Sequence, residues 1–311
     1  MRYRFLTCDV FTDRIFGGNP LAVFPDARGL DAEQMQPIAR EFNLSETTFV
    51  LPPETPEGTH RVRIFTPATE LSFAGHPTVG TAYVLAWIGE VKLDRDIVHV
   101  AFEEGVGIVP VTIRVSRGQP VFAQLSAARM PEFGPEPPRP ETLAAMLSLE
   151  TSDLLLGDDA PQAVSCGQPI LFVPVRDLAA MRRVRLKRDL WERSLSSYWA
   201  SQVCVFAYET ETDEADIHAR FFPPALGIEE DPATGAAATA LAGYLGIRDA
   251  RQSGTLRWVV EQGLEMGRPS RLEIEADRQD GVITAIRVGG SAVLVSEGEM
   301  DIPDRMMHGA T

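Results

Sequence analysis

From Pro77 to Gly89 (PTVGTAYVLAWIG) and again from Pro232 to Gly246 (PATGAAATALAGYLG) the sequence reads as helix without one charged residue. A surface helix keeps a polar face, whereas a helix that is apolar all round has to be covered on every side. Neither run reaches the roughly twenty apolar residues that span a bilayer. Each is therefore expected to be a core helix wrapped by strands, and the chain carries two of them.

The two runs are preceded by similar text. RIFTPATELSFAGHPTVGTA (Arg63 to Ala82) and RFFPPALGIEEDPATGAAA (Arg220 to Ala238) share an Arg-x-Phe-x-Pro strand end, a short connector and an x-Pro-x-x-Gly helix opening. Aligned at Pro77 and Pro232, they set Gly80 over Gly235 and His76 over Asp231. Gly18-Asn19-Pro20-Leu21 likewise has a counterpart in Gly167-Gln168-Pro169-Ile170. Proline favours the first turn of a helix and pushes its predecessor out of helical conformation, so His76 and Asp231 are expected at helix caps. The unpaired amides at such a helix end suit the carboxylate and oxygen substituents of a small anionic substrate. Two such ends facing one another, with a proton donor and an acceptor, make a catalytic cleft.

Around these helices the pattern is strand-like. Tyr3 to Val10, Leu21 to Phe24, Thr47 to Leu51, Arg61 to Phe65, Ile97 to Phe102 and Gly107 to Val115 are rich in β-branched or aromatic residues and end at turn formers. A helix from about Asp31 to Phe42 interrupts them, with Asp31 as N-cap and Met35, Ile38, Ala39 and Phe42 at helical spacing. The proline-rich stretch Arg129 to Thr142 reads as an extended boundary segment. Beyond it come strands near Ala163 to Val175, helix from about Asp189 to Ser197, and strands at Val203 to Tyr208, Asp216 to Phe222, Thr255 to Gln262, Arg271 to Ala276, Val282 to Val288 and Ala292 to Glu297. Gly289-Gly290 marks a bulge or a close backbone approach bordering the cleft. The expected fold is α+β: two pseudo-repeated domains, 1–128 and 129–311, each a strand barrel around a central apolar helix, with the last strand able to return to the first domain.

Composition narrows the partners. The 311 residues are 44% hydrophobic, enough core for two domains, and the net charge of −15 argues against a nucleic-acid partner. Cys8, Cys166 and Cys204 are an odd number with no close pair, which suggests buried thiols in a reducing compartment rather than disulfides or zinc. Asp9, Asp13 and Arg14 break any signal-peptide core near the start, so a soluble, cytoplasmic protein without a membrane partner is expected.

Three side chains stand out for chemistry. Glu46, in NLSETTFV, is a carboxylate at a strand start, and the matching strand of the second half begins Ser201-Gln202-Val203 and offers no acid. His76 and Asp231 are the matched pair before the prolines. Asp is also a favoured plain N-cap, and Glu229 and Glu230 beside Asp231 could form only an acidic turn. Alternation puts Asp216, His218 and Arg220 on one strand face, which reads as solvated. Metal spacing, a Walker loop, a Rossmann glycine fingerprint and a Gly-x-Ser-x-Gly elbow are all missing, which leaves proton transfer without a cofactor or metal as the expected chemistry.

GGNPLAVF (Gly17 to Phe24), NLSETTFV (Asn43 to Val50), ELSFAGHPTVGTA (Glu70 to Ala82), EEDPATGAAA (Glu229 to Ala238) and QGLEMGRPSRLEIE (Gln262 to Glu275) together resemble the PhzF-like family of phenazine biosynthesis, within the diaminopimelate-epimerase-like fold. The resemblance covers almost the whole chain. It implies two barrel domains with the site between them, and usually a homodimer. Glu46 would be the central acid/base that moves a proton between carbons of a small unsaturated carboxylate, with His76 and Asp231 assisting and the backbone at Gly75 and Gly235 touching substrate oxygens. The prototype reaction isomerises trans-2,3-dihydro-3-hydroxyanthranilate. Where the family pattern carries a serine after Gly235, this chain has Ala236, and the lost hydroxyl, worth roughly 1.5 to 3 kcal/mol towards a charged group, puts that substrate in question. A racemase using two cysteines at the caps is disfavoured by Ala74-Gly75-His76 and Asp231. A non-catalytic binding protein on the same scaffold is the remaining alternative.

Overall fold

The computed structural model describes residues 1–304, so residues 305–311 of the expected second domain lie outside it. The chain is mixed α and β and divides into two compact units, Met1–Leu125 with Gly289–Thr311, and Ser126–Val288. In chain order the first contains β1 (Arg2–Val10), β2 (Asn19–Phe24), α1 (Ala32–Phe42), β3 (Glu46–Leu51), β4 (His60–Phe65), β5 (Glu70–Leu71), α2 (Gly75–Trp87), β6 (Ile97–Glu104), β7 (Gly107–Ser116) and β8 (Gln119–Ser126). The second contains β9 (Glu132–Phe133), α3 (Pro140–Met146), β10 (Gln162–Ser165), β11 (Pro169–Pro174), α4 (Leu178–Arg183), α5 (Arg188–Ser194), β12 (Gln202–Ala207), β13 (Ile217–Phe222), α6 (Gly235–Arg248), β14 (Gly254–Gln262), β15 (Ser270–Gln279) and β16 (Val282–Gly290). A final strand, β17 (Ala292–Asp301), belongs to the first unit, where it pairs antiparallel with β1.

Within the first unit β1 pairs antiparallel with β2, β2 parallel with β3, β3 antiparallel with β4, β4 parallel with β6, and β6 antiparallel with β7. Every residue of α2 from Gly75 to Ala86 is buried, and the helix packs on β1, β2, β3, β7 and β17. A charge-free helix therefore has the all-round strand cover that its composition demands. Gly80 sets the closest approach: a Cβ there would lie 2.6 Å from Leu21 Cδ2 and 2.6 Å from Val10 Cγ2. Helix α1 has the expected Asp31 cap, completed by Gln34 into a reciprocal capping box, and packs on β3 and β4 with Met35, Ile38 and Ala39 buried among Phe24, Phe49 and Phe65.

In the second unit β10 pairs antiparallel with β11, β11 parallel with β12, β12 antiparallel with β13, β13 parallel with β14, and β14 antiparallel with β15. Helix α6 is buried from Ala237 to Gly246 and packs on β10, β11, β14 and β15. The proline-rich stretch includes extended chain in the short strand β9, but its end turns into α3, where Pro140 sits at the first turn. Gly289, where the chain has returned to the first unit, does mark a close approach, because a Cβ there would meet the Ala123 carbonyl of the same unit at 2.6 Å. Cys8 and Cys204 are buried, Cys166 is half-buried, and all three are free thiols. Among the described residues no helix is long and apolar enough to cross a membrane.

Since Val10 and Leu21 are wholly buried where Gly80 touches them, Gly80→Ala should destabilise the protein by about 1–3 kcal/mol through overpacking. Urea unfolding measures this, and an unchanged midpoint would show that the helix can shift.

Candidate active site

In the first unit Glu46 and His76 are brought together. Helix α1 ends at Asn43, which adopts the left-handed conformation (φ 51°) and donates its N–H to the Ala39 carbonyl. Three residues later Glu46 opens β3, in parallel register with Leu21 of β2. The carboxylate oxygen Oε2 of Glu46 lies 3.3 Å from His76 Nε2, with the imidazole buried and the carboxylate nearly so. Burial drives the His76 pKa down to about 3, and a hydrogen bond to the Pro20 backbone opposes this only in part. Proline has no backbone N–H, so the ring donates to the Pro20 carbonyl. Nε2 has no hydrogen-bond partner among the described residues, which leaves Nδ1 as the donor. The imidazole is thus neutral, with its Nε2 lone pair facing Glu46.

The expected caps are corrected. Helix α2 begins at Gly75 with Ala74 as N-cap, so His76 lies inside the first turn and Pro77 directly after it. A proline fits there because first-turn amides have no intrahelical acceptor. In the second unit the helix starts later, at Gly235, with Thr234 as N-cap, and Asp231 lies three residues before that cap. The delay has a local cause. The Asp231 N–H donates to the Phe221 carbonyl (3.0 Å), Gln262 Nε2 donates to the Asp231 carbonyl (2.8 Å), and the Ser270 hydroxyl donates to the Pro232 carbonyl (2.9 Å). The chain is held to β13, β14 and β15 until Thr234. The Thr234 hydroxyl donates to Asp231 Oδ2. Gly75 and Gly235 are both buried in first turns, and Ala236 is half-buried beside Gly235.

The solvated face expected for Asp216, His218 and Arg220 holds at Asp216, which is exposed, and is corrected at His218 and Arg220, which are 1% and 4% exposed. His218 Nδ1 meets Glu261 Oε1 at 2.7 Å and its Nε2 meets Glu265 Oε1 at 3.0 Å. Burial alone would lower the His218 pKa, but the hydrogen bonds and charges of the two glutamates overcome it and raise it to about 9. Arg220 forks onto Glu230 through Nε and Nη2, both at 2.8 Å, while its Nη1 donates to the Met181 and Val184 carbonyls. Glu230 precedes Asp231, so this fork anchors the connector that carries it. A similar fork joins Arg63 to Glu70 in the first unit, at 2.7 Å on both arms. Sequence reasoning named these arginines only as part of a repeated motif, because their partners sit on other segments.

A cavity of about 620 Å³ in the first unit is lined by Arg61, Arg63, Glu70, Glu103 and Glu104, but not by Glu46 or His76. Its arginines are already paired, Arg61 with Glu54 and Arg63 with Glu70. Glu104 is a different case. The Thr78 Oγ1 lies 2.8 Å from the Ala74 carbonyl and 2.6 Å from Glu104 Oε1. One hydroxyl proton cannot serve both acceptors, so a protonated Glu104 donating to Thr78 satisfies the group, in agreement with burial pushing its pKa up to about 8.

The family model described as phenazine biosynthesis-like protein (PhzC-PhzF) matches residues 8–298. The chain belongs to that family. An uncharacterized isomerase of Mesorhizobium japonicum is 42% identical, over 96% of this chain and 98% of its own. The trans-2,3-dihydro-3-hydroxyanthranilate isomerase of Pseudomonas aeruginosa is 34% identical, over 95% and 98%. The crystal structure of a PhzF-family phenazine biosynthesis protein of Bacillus anthracis superposes with a TM-score of 0.86 at 28% identity, over 97% and 100%. Like these PhzF-family relatives, the chain is an isomerase.

Glu104 supplies a pH test. A carboxyl whose folded pKa is raised from 4.5 to about 8 loses stability as pH climbs from 4.5 towards 8, because only the unfolded chain ionises there. Glu104→Gln, whose amide can still donate to Thr78, should be more stable than wild type at pH 8 by a few kcal/mol and show no advantage at pH 4. Denaturant titrations at the two pH values decide this, and an equal effect at both would refute the buried acid.

Proposed function

We propose that the protein moves a proton between carbon atoms of a small carboxylate substrate by general acid/base catalysis, without a cofactor. The observation that carries this reading is the contact between Glu46 Oε2 and a buried, neutral His76. Two lone pairs 3.3 Å apart repel unless a proton lies between them, so the pair is suited to storing one proton and handing it over. As a carboxylate, Glu46 removes a proton from one carbon, holds it against the His76 Nε2 lone pair and returns it at another carbon, so the stored proton is the substrate's own, while His76 fixes the carboxyl orientation and Asp231 assists from the second unit. Backbone at Gly75 and Gly235, in buried first turns, supplies amides for the substrate carboxylate and oxygen groups.

The two units act in this proposal as divergent repeats of one domain, each a strand barrel around its apolar helix. Supporting this is the shared pairing order, antiparallel, parallel, antiparallel, parallel, antiparallel, of β1-β2-β3-β4-β6-β7 and β10-β11-β12-β13-β14-β15. Only one repeat kept the acid. The P. aeruginosa relative bears the name of a dihydro-hydroxyanthranilate isomerase, and the substrate here is proposed to be a related unsaturated carboxylate. Ala236 offers no hydroxyl beside the α6 terminus, so the preferred compound should depend less on a donor at that point.

Incubation in D₂O with dihydro-hydroxyanthranilate and a panel of unsaturated carboxylates, followed by proton NMR, tests the reaction. Wild type should place deuterium on a substrate carbon. Glu46→Gln should abolish the exchange, and His76→Asn should slow it by about 10²–10⁴-fold. Equal exchange by wild type and Glu46→Gln would rule out Glu46 as the base.

A further inference from the structure

Two independent registers identify the residue of the second unit that occupies the place of Glu46. The parallel ladder of β2 with β3 begins Leu21 opposite Glu46, and that of β11 with β12 begins Ile170 opposite Gln202. Leu21 follows Gly18-Asn19-Pro20, and Ile170 follows Gly167-Gln168-Pro169. On the other side, Thr47 faces Phe65 and Val203 faces Phe222, where Phe65 and Phe222 are the phenylalanines of the two Arg-x-Phe-x-Pro motifs. Both alignments put Gln202 where the first unit has Glu46.

Gln202 is 6% exposed, and its side-chain Oε1 is buried without a hydrogen-bond partner among the described residues. A buried carbonyl left unpaired works against folding, and the fold around it gives no sign of using it. Unlike a carboxylate, an amide transfers no proton at neutral pH. What it can do is accept a hydrogen bond.

We infer that Gln202 is a substrate-binding residue whose side-chain carbonyl accepts a hydrogen bond from an N–H or O–H donor on the substrate. The inference rests on the reading that Glu46 marks the reacting face of its unit. It adds a requirement on the ligand: besides its carboxylate, the substrate carries an amino or hydroxyl group.

Stable aromatic acids make suitable probes, since they have no sp³ C–H to isomerise: 3-hydroxyanthranilate (amine and hydroxyl), anthranilate (amine only), 3-hydroxybenzoate (hydroxyl only) and benzoate (neither). Calorimetric titration of the full chain should show wild type preferring a donor-bearing probe over benzoate. Gln202→Met, close in shape, should lose about tenfold in affinity for that probe and none for benzoate. Its melting temperature should hold or rise, because an unpaired buried carbonyl has gone. Whether anthranilate or 3-hydroxybenzoate shares the loss identifies the donor. Uniform loss across all four probes, a fall in melting temperature without selective loss, or a wild type that does not favour the donor-bearing probes would overturn the inference. Failure of the acid/base reading is separately visible, as deuterium exchange that survives Glu46→Gln while the selectivity of Gln202 persists.

Discussion

A helix with no polar face must be enclosed on every side, and the site follows from how α2 meets that demand. Strands cover it to its first residue, so the opening turn is as dry as the middle. His76 sits in that turn, and its imidazole is neutral because burial penalises the charged form. Thr78, one turn into the same helix, has as its partner a glutamate that burial also keeps neutral. The enclosure that stabilises the core thus sets the protonation of the side chains near the helix end. Glu46 sits beside His76 because β3 starts in register with Leu21, just after the Pro20 carbonyl that holds His76.

The second unit meets a different problem. Its strand β13 is buried on both faces yet carries a histidine and an arginine. Lone buried charges would be prohibitive, and here each has carboxylate partners in good geometry: His218 between Glu261 and Glu265, Arg220 forked onto Glu230. Glu261 also accepts from the amides of Glu211 and Thr212, so little of its hydrogen-bonding capacity is wasted. Such an arrangement contributes little net stability compared with an apolar core of the same volume. Its effect is positional, because Arg220 ties down Glu230 while Gln262 and Ser270 tie down the residues after it, and Asp231 is caught between them.

Much of this was legible in the sequence. Charge-free runs of thirteen and fifteen residues imply central helices, and the β-branched runs fall on strands β1 to β4, β6 and β7. Strand β8 was missed because Gln119-Pro120 and the alanine and glutamine that follow carry little strand propensity. The caps were misplaced because proline is tolerated at several first-turn positions, and because what delays α6 comes from Gln262 and Ser270, about thirty residues further on. Alternation along β13 could not separate a solvated polar face from a buried, paired one, since the partners Glu261 and Glu265 lie on a distant segment. Glu46 and His76 could be named singly from their motifs, whereas their contact required the β2–β3 register. Gln202 was visible only as the absence of an acid at the start of Ser201-Gln202-Val203.

The central claim is that His76 is neutral, donates through Nδ1 and turns its Nε2 lone pair to Glu46. Nitrogen-15 NMR of the histidine side chains, assigned with His76→Asn, reads tautomer and charge directly. The account predicts an Nδ1-protonated neutral ring for His76 throughout pH 5 to 8, with an Nε2 shift that changes when the neighbouring carboxyl is removed in Glu46→Leu. An imidazolium in that range, or an Nε2-protonated ring indifferent to Glu46, would contradict it.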